Sequence, residues 1–164
     1  MGNSSNRTIK LCPYPTDEVR ALISELDGQL STMYSTEQRH GLALDAIFQP
    51  HIRFFLARLD SAAVGCGGVA FFPDFAEVKR MFVRESVRGR GVAQALVAKI
   101  EAEALNAGQV TLRLETGQRQ GAAFRLYTKA GFKTCAAFGD YTLMSPEAIA
   151  VNVFMEKQIK AHTT

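Results

Sequence analysis

The sequence predicts a single mixed α/β domain, strands and helices interleaved around one sheet, and three observations carry that prediction. The chain has 164 residues, 47% hydrophobic and 21% charged, which is enough apolar material for one core and too little charge for a disordered chain. Runs of strand formers alternate with apolar stripes at helical spacing along most of its length. No repeat, linker or shift in composition divides it, so residues 1–164 read as one domain.

Residues 7–12 (RTIKLC) form a first strand, ended by Pro13-Tyr14-Pro15. Thr16 then caps a helix whose first turn holds Asp17 and Glu18 at the positive end of the dipole, with Val19, Leu22, Ile23, Leu26 and Leu30 on one face. A loop over 34–40 leads to a weaker helix over 42–48, before Pro50. Residues 51–59 and 62–72 flank the turn Asp60-Ser61 as a hairpin, and Gly65, Gly67 and Gly68 mark a bend or a close backbone approach. After Pro73-Asp74, residues 75–83 (FAEVKRMFV) give the next strand. Val92, Leu96, Val97, Ile100 and Ala104 stripe a helix over 90–107, stopped by Gly108. Val110, Leu112 and Leu114 alternate with Thr111, Arg113 and Glu115, which predicts a strand with one core face and one polar face. A helix over 118–130 follows with Gly131 as its cap, then a strand over 132–138, the turn Gly139-Asp140, and a last strand over 151–156.

Composition excludes several classes of function. No apolar run approaches the roughly 18 to 20 residues that span a bilayer. A net charge of +3, with Lys and Arg scattered among Asp and Glu, argues against nucleic acid. The start, MGNSSNRTIK, has no apolar segment of a secretory signal, and Asn6 stands where a myristoylation site requires Ser or Thr. Cys12, Cys66 and Cys135 are dispersed and odd in number, which fits reduced thiols in a cytoplasmic protein. His40, His51 and His162 form no metal-binding spacing, so no metal is expected.

The chemistry concentrates in residues 81–96 (MFVRESVRGRGVAQAL), a strand, a Gly-rich turn and a helix start. Backbone N–H groups at such a start lack intrahelical partners and form a phosphate cradle, and Gly89 and Gly91 let a ligand approach. A tight turn alone would use the same glycines. The Walker pattern GxxxxGK[ST] is absent, and the dinucleotide pattern GxGxxG fails because Gln94 occupies its third glycine position. Arg88-Gly-Arg-Gly91-Val-Ala93 matches [QR]xxGx[GA]. Downstream, residues 119–132 (RQGAAFRLYTKAGF) place Ala123, Tyr127, Gly131 and Phe132 in register with NxxAxxxYxxxGF, with Gln120 where Asn is commonest.

On these two motifs, over about residues 9–157, the chain resembles the GNAT superfamily of acetyl-CoA-dependent N-acetyltransferases. The resemblance implies that family's acyl-CoA N-acyltransferase fold, a splayed mixed sheet flanked by helices that opens between the strand ending at Val83 and the one starting near Val110. It implies acetyl-CoA as cosubstrate, its pantetheine against Met81, Phe82 and Val83 and its pyrophosphate on Arg88, Gly89, Arg90, Gly91, Val92, Ala93 and Gln94. Members often pair through edge strands, which leaves a homodimer open.

Amine acetylation needs a neutral nucleophile and a proton for the departing thiolate. In the family pattern Tyr127 is the general acid, although a core tyrosine on an apolar helix face has the same spacing. Glu77 stands where several members carry a general base; a strand residue paired with Lys79 or Arg80 is the structural alternative. Arg80, Arg113 and Glu115 fall near the acceptor half of the cleft, where a guanidinium would hold a carboxylate and Glu115 would pair with an incoming ammonium. Surface or ion-pair placement is the alternative for Arg113 and Glu115, and either arginine could instead cap a strand edge or contact CoA phosphate. The expected reaction is direct acetyl transfer in a ternary complex to a primary amine of a small molecule, an amino acid or analogue among the candidates. A protein or peptide acceptor and a non-catalytic CoA-binding module are the competing readings.

Overall fold

The computed structural model describes residues 6–38 and 42–160. His40, His162 and residues 1–5, on which the targeting readings rest, lie outside them. One seven-stranded mixed sheet runs in the order β1-β2-β3-β4-β5-β7-β6. Its strands are β1 (Arg7–Leu11), β2 (Ile52–Leu59), β3 (Ala62–Phe71), β4 (Ala76–Val83), β5 (Thr111–Gly117), β6 (Lys133–Cys135) and β7 (Asn152–Gln158). The helices are α1 (Asp17–Met33), α2 (Leu44–Ile47), α3 (Val92–Asn106), α4 (Gly121–Lys129) and α5 (Pro146–Ala150). No helix among the described residues is long and apolar enough to cross a membrane.

Local sequence accounts for most of these elements. Thr16 accepts a hydrogen bond from the Val19 N–H at 3.3 Å, the expected cap of α1. Asp60 and Ser61 take φ of 48° and 74°, the two-residue turn whose twist suits a β2-β3 hairpin. The helical stripes bury one face each. Val92, Leu96, Val97, Ile100 and Ala104 of α3 join β-strand residues in one core, while Val19, Leu22, Ile23 and Leu26 of α1 pack with Phe54, Leu56, Cys66 and Phe82 in a second core. Each fully buried aliphatic or aromatic side chain contributes about 1.5 to 3 kcal/mol.

The structure also departs from the expectations. Val110 is 62% exposed and precedes β5 rather than joining its core face, because the strand begins at Thr111. β6 is limited to three residues, since only Lys133, Thr134 and Cys135 find partners on β7. The stretch after the Gly139-Asp140 turn folds as a 3-10 turn (Gly139–Leu143) and the short helix α5, capped by Ser145, and the last strand starts at Asn152. The expected loop over 34–40 contains a 3-10 turn, Thr36–Gln38.

The site depends on a bulge in β4. Cys66 pairs with Phe82 and Gly68 with Lys79, so Arg80 and Met81 together oppose Gly67. Arg80 takes φ +52°, and a Cβ on Gly67 would lie 2.3 Å from the Met81 sulfur. That close approach is what the glycines of β3 permit. A bulge bends its strand, and β4 pairs with β5 only at Ala76↔Leu112 and Glu77↔Arg113. Beyond Glu77 the parallel strands part, at the opening that the family resemblance implies.

Candidate active site

Two cavities meet in the gap between β4 and β5. The larger, about 810 Å³, is bounded by Met81, Phe82 and Val83 of β4, the start of α3, one side of α1 and the length of α4. The smaller, about 120 Å³, lies on the β5 side, against Leu114, Glu115, Thr116 and Gly117, and Leu26, Met81, Gln120, Ala123 and Tyr127 border both. Tyr127 therefore stands at their junction. Its hydroxyl makes no hydrogen bond among the described residues.

The larger cleft fits a long anionic cosubstrate. Gly89 and Gly91 have φ of +81° and +79°, and Gly91 is the N-cap of α3, with no side-chain cap and no acidic residue in the first turn. The helix start thus presents unpaired N–H groups and a positive dipole end. Arg88, Gly89, Gly91, Val92, Ala93 and Gln94 line this cleft, and Arg90 alone of the expected loop residues does not. Arg119 and Lys129 add two cations that the sequence reading missed, because only tertiary packing brings α4 opposite α3. Β4 beyond the bulge keeps its unpaired edge toward the gap, where an amide-bearing chain can add hydrogen bonds.

The smaller cavity holds two of the three expected acceptor residues, Arg80 and Glu115. Only 5% of the Arg80 side chain is exposed; its Nη2 donates to Asp27 Oδ1 on α1, while its buried Nε finds no acceptor. Arg113, the third, lies elsewhere. Its Nε donates to Glu156 Oε2 at 3.2 Å and its guanidinium stacks 4.9 Å from the Phe75 ring centre, so it borders neither cavity. The bulge explains the difference, since it turns Arg80 toward α1 whereas Arg113 stays in regular register opposite Glu156.

Glu77 is 3% exposed and enclosed. It accepts from the Tyr141 hydroxyl at 2.7 Å and pairs with Lys79 Nζ at 2.8 Å, and it lines neither cavity. This is the ion-paired alternative weighed for it, with Tyr141 as a partner the sequence did not single out. Burial first, and then the charge of Glu77, push the Glu115 carboxyl up from 4.5 to about 7, with Lys79 opposing. Burial and the Glu115 charge hold the Tyr127 hydroxyl well above its ordinary range, so it keeps its proton. Burial likewise pushes the Cys66 thiol up to about 12 and raises Cys135, which suits neither to nucleophilic work.

A tie closes the smaller cavity on one side. The Arg119 N–H donates to Tyr34 Oη at 2.7 Å and Arg119 Nη1 donates to the Met33 carbonyl at 2.7 Å, joining the end of α1 to the turn between β5 and α4. Tyr34 and Gln38 both line the cavity. The glycine at 117 makes room for that ring, because a Cβ there would lie 2.1 Å from the Tyr34 hydroxyl.

Comparison with known proteins bears on the family and the fold. Residues 19–132 match the sequence profile described as Acetyltransferase (GNAT) family. An "IAA acetyltransferase" of Azospirillum brasilense is 41% identical over 145 residues, covering 87% of this chain and 92% of that protein. A Klebsiella pneumoniae structure assigned as an acyl-CoA N-acyltransferase superposes with a TM-score of 0.75 at 34% identity, over 94% of this chain and 98% of the other. The PaiA N-acetyltransferase of Thermoplasma acidophilum, solved in complex with coenzyme A, shares the fold with a TM-score of 0.66 at 17% identity, over 92% and 99% of the two chains.

Proposed function

This chain belongs to the acetyltransferase (GNAT) family, and we propose that it moves an acetyl group from acetyl-CoA to the primary amine of a small molecule that also carries a carboxylate. The observation that carries this reading is the small cavity of about 120 Å³ that Arg80 and Glu115 share. The Arg80 guanidinium borders that cavity, and a guanidinium beside a cavity favours a carboxylate partner. The opposite charge at Glu115 suits an ammonium. An amino acid or close analogue satisfies both, with its nitrogen toward Tyr127 and the thioester.

The larger cleft is the place for acetyl-CoA, with pyrophosphate on Arg88, Gly89, Gly91, Val92, Ala93 and Gln94, phosphate charge also met by Arg119 and Lys129, and pantetheine beside Met81, Phe82 and Val83. Bound there, the cosubstrate supplies an activated acyl carbon and a thiolate leaving group. Tyr127 gives its proton to that sulfur as general acid, and a buried carboxylate of β4 or β5 takes one from the ammonium. The Tyr34 tie supports a small acceptor over a protein one, which would need an open groove at that side. A retained proton on Tyr127 at the cavity junction supports an enzyme over a binding module. Three free cysteines, two of them buried, are compatible with a reducing cytoplasm.

Thiol release with acetyl-CoA and a panel of amino acids, their amides and simple polyamines tests this reading. IAA, for which the Azospirillum relative is named, belongs in the panel. Carboxylate-bearing amines are expected to turn over fastest, and Arg80→Gln to raise their KM roughly 10-fold or more while leaving the amides little changed. Faster turnover of polyamines than of every carboxylate-bearing amine overturns it.

A further inference from the structure

The end of α1 carries a backbone group that its own helix leaves unmet. The last carbonyls of a helix lack intrahelical partners, and the last turn of α1 holds no basic side chain. Arg119, 86 residues further along the chain, supplies the missing donor, because its Nη1 donates to the Met33 carbonyl at 2.7 Å. A guanidinium carries five N–H donors in a planar fork. Among the described residues only Nη1 is engaged, so Nε and Nη2 stay available on an exposed side chain that lines the larger cleft. The backbone of the same residue faces the other cavity. Its N–H donates at 2.7 Å to the hydroxyl of Tyr34, a buried ring that lines the smaller cavity and does not border the larger one.

Resting on the reading that the larger cleft holds acetyl-CoA, we propose that Arg119 is a positioning residue that couples cosubstrate binding to the wall of the acceptor cavity. A phosphate held by the free prong of the fork opposes withdrawal of the other prong from Met33, and with both ends of the side chain fixed the 119 peptide stays against Tyr34 Oη. The converse also holds. An exposed arginine loses rotamer freedom when it grips an anion, and one already anchored at its backbone and at Nη1 has less to lose. These are one coupling free energy seen from two sides, and linkage makes them equal.

The local packing can transmit the effect. The Tyr34 ring lies against the glycine at 117, where a Cβ would come within 2.1 Å of the hydroxyl, so ring and turn are held in one arrangement. On the other side of the turn the Gln120 N–H donates to the Gly117 carbonyl at 3.0 Å, and Gln120 borders both cavities. Lys129 gives the contrast. It lines the larger cleft but makes no hydrogen bond or ion pair with the described residues, so it meets phosphate without touching the tie. The consequence is an acceptor cavity whose wall is firmest once the acyl donor is in place, which favours the ternary complex over a complex of protein and amine alone.

Calorimetry with CoA tests the coupling. Tyr34→Phe removes one hydroxyl that lies outside the cosubstrate cleft, and it should still weaken CoA binding by about 5-fold or more. Arg119→Gln should weaken binding as well, and in that background Tyr34→Phe should cost less than about 2-fold, whereas in a Lys129→Gln background it should keep its full cost. Hydrogen exchange of the residue 119 amide gives a second readout. Saturating CoA should slow it by about 5-fold or more in the wild type and leave it unchanged in Tyr34→Phe and in Arg119→Gln. Unchanged CoA affinity in Tyr34→Phe overturns the proposal. So does an equal loss with and without Arg119, or an exchange rate that CoA does not alter in the wild type, since the tie would then be a structural support only. A wild-type protein that binds no CoA refutes the cosubstrate site itself, a result distinct from these.

Discussion

Replacing Glu115 by glutamine should make the protein more stable, by an amount that depends on pH. In the folded state burial and Glu77 move this carboxyl from 4.5 to about 7. Ionising it above pH 7 therefore costs the fold about 3 kcal/mol, at about 1.4 kcal/mol per tenfold change in proton affinity. The native state binds more protons than the unfolded chain between those two values, so wild-type stability falls as pH rises from 4.5 to about 7. Below that window both states are protonated and the cost is absent; above it the cost is complete. Glutamine keeps the shape and removes the charge. Urea unfolding of both proteins at pH 4, 6, 7 and 8.5 should give a stability difference that grows by about 3 kcal/mol in favour of the variant across the series. The corresponding Tm gap at pH 8.5 is roughly 6 to 12 °C for a chain of this size. A stability difference constant across pH would refute the reasoning, because Glu115 would then ionise in the fold as it does in water.

Two further expectations follow from the glycines. Gly117→Ala places a Cβ 2.1 Å from the Tyr34 hydroxyl and should cost about 1 to 3 kcal/mol in denaturant unfolding, with a raised acceptor KM. In a Tyr34→Ala background the same substitution should cost less than about 0.5 kcal/mol, and an undiminished cost there would separate Gly117 from the tie. Gly91→Ala and Gly108→Ala both force a side chain onto φ near +80°, a strain of about 1 to 2 kcal/mol. Calorimetry should show CoA binding lost or strongly weakened in the first and kept in the second, while Tyr127→Phe keeps CoA affinity and loses kcat roughly 100- to 10,000-fold. Equal CoA affinity in the two glycine variants would dissociate the α3 start from phosphate binding.

The features legible in the sequence are those decided within a few residues. Thr16 caps α1, Asp60-Ser61 turns the hairpin, and Gly131 ends α4 with φ +102°, each through short-range sterics and hydrogen bonding. The strand, Gly-rich turn and helix start at residues 81–96 form one continuous segment, so proposing a phosphate site there needed no knowledge of distant chain. The proposed role of Tyr127 comes from its register in the second family motif, which spans a single helix and its cap. Less was legible in the last part of the chain. The brief α5 carries too few residues to show periodicity, and the extent of β6 depends on how much of β7 is free to pair.

What the sequence by itself determined was therefore the order of elements, the apolar faces of α1 and α3, and the loop suited to pyrophosphate. Only the tertiary structure decided which polar residues share a cavity. Arg80 and Arg113 look alike in sequence, yet a bulge opposite Gly67 turns one toward α1 and regular pairing with β7 leaves the other beside Glu156. Glu77 and Glu115 are both carboxylates on neighbouring strands, but Tyr141, from a turn about 60 residues away, encloses the first and leaves the second open. The physical reason is range. Caps, turns and periodicity are set by neighbours along the chain, whereas burial, ion pairing and the free oxygens of a carboxylate are set by whichever distant element packs against it.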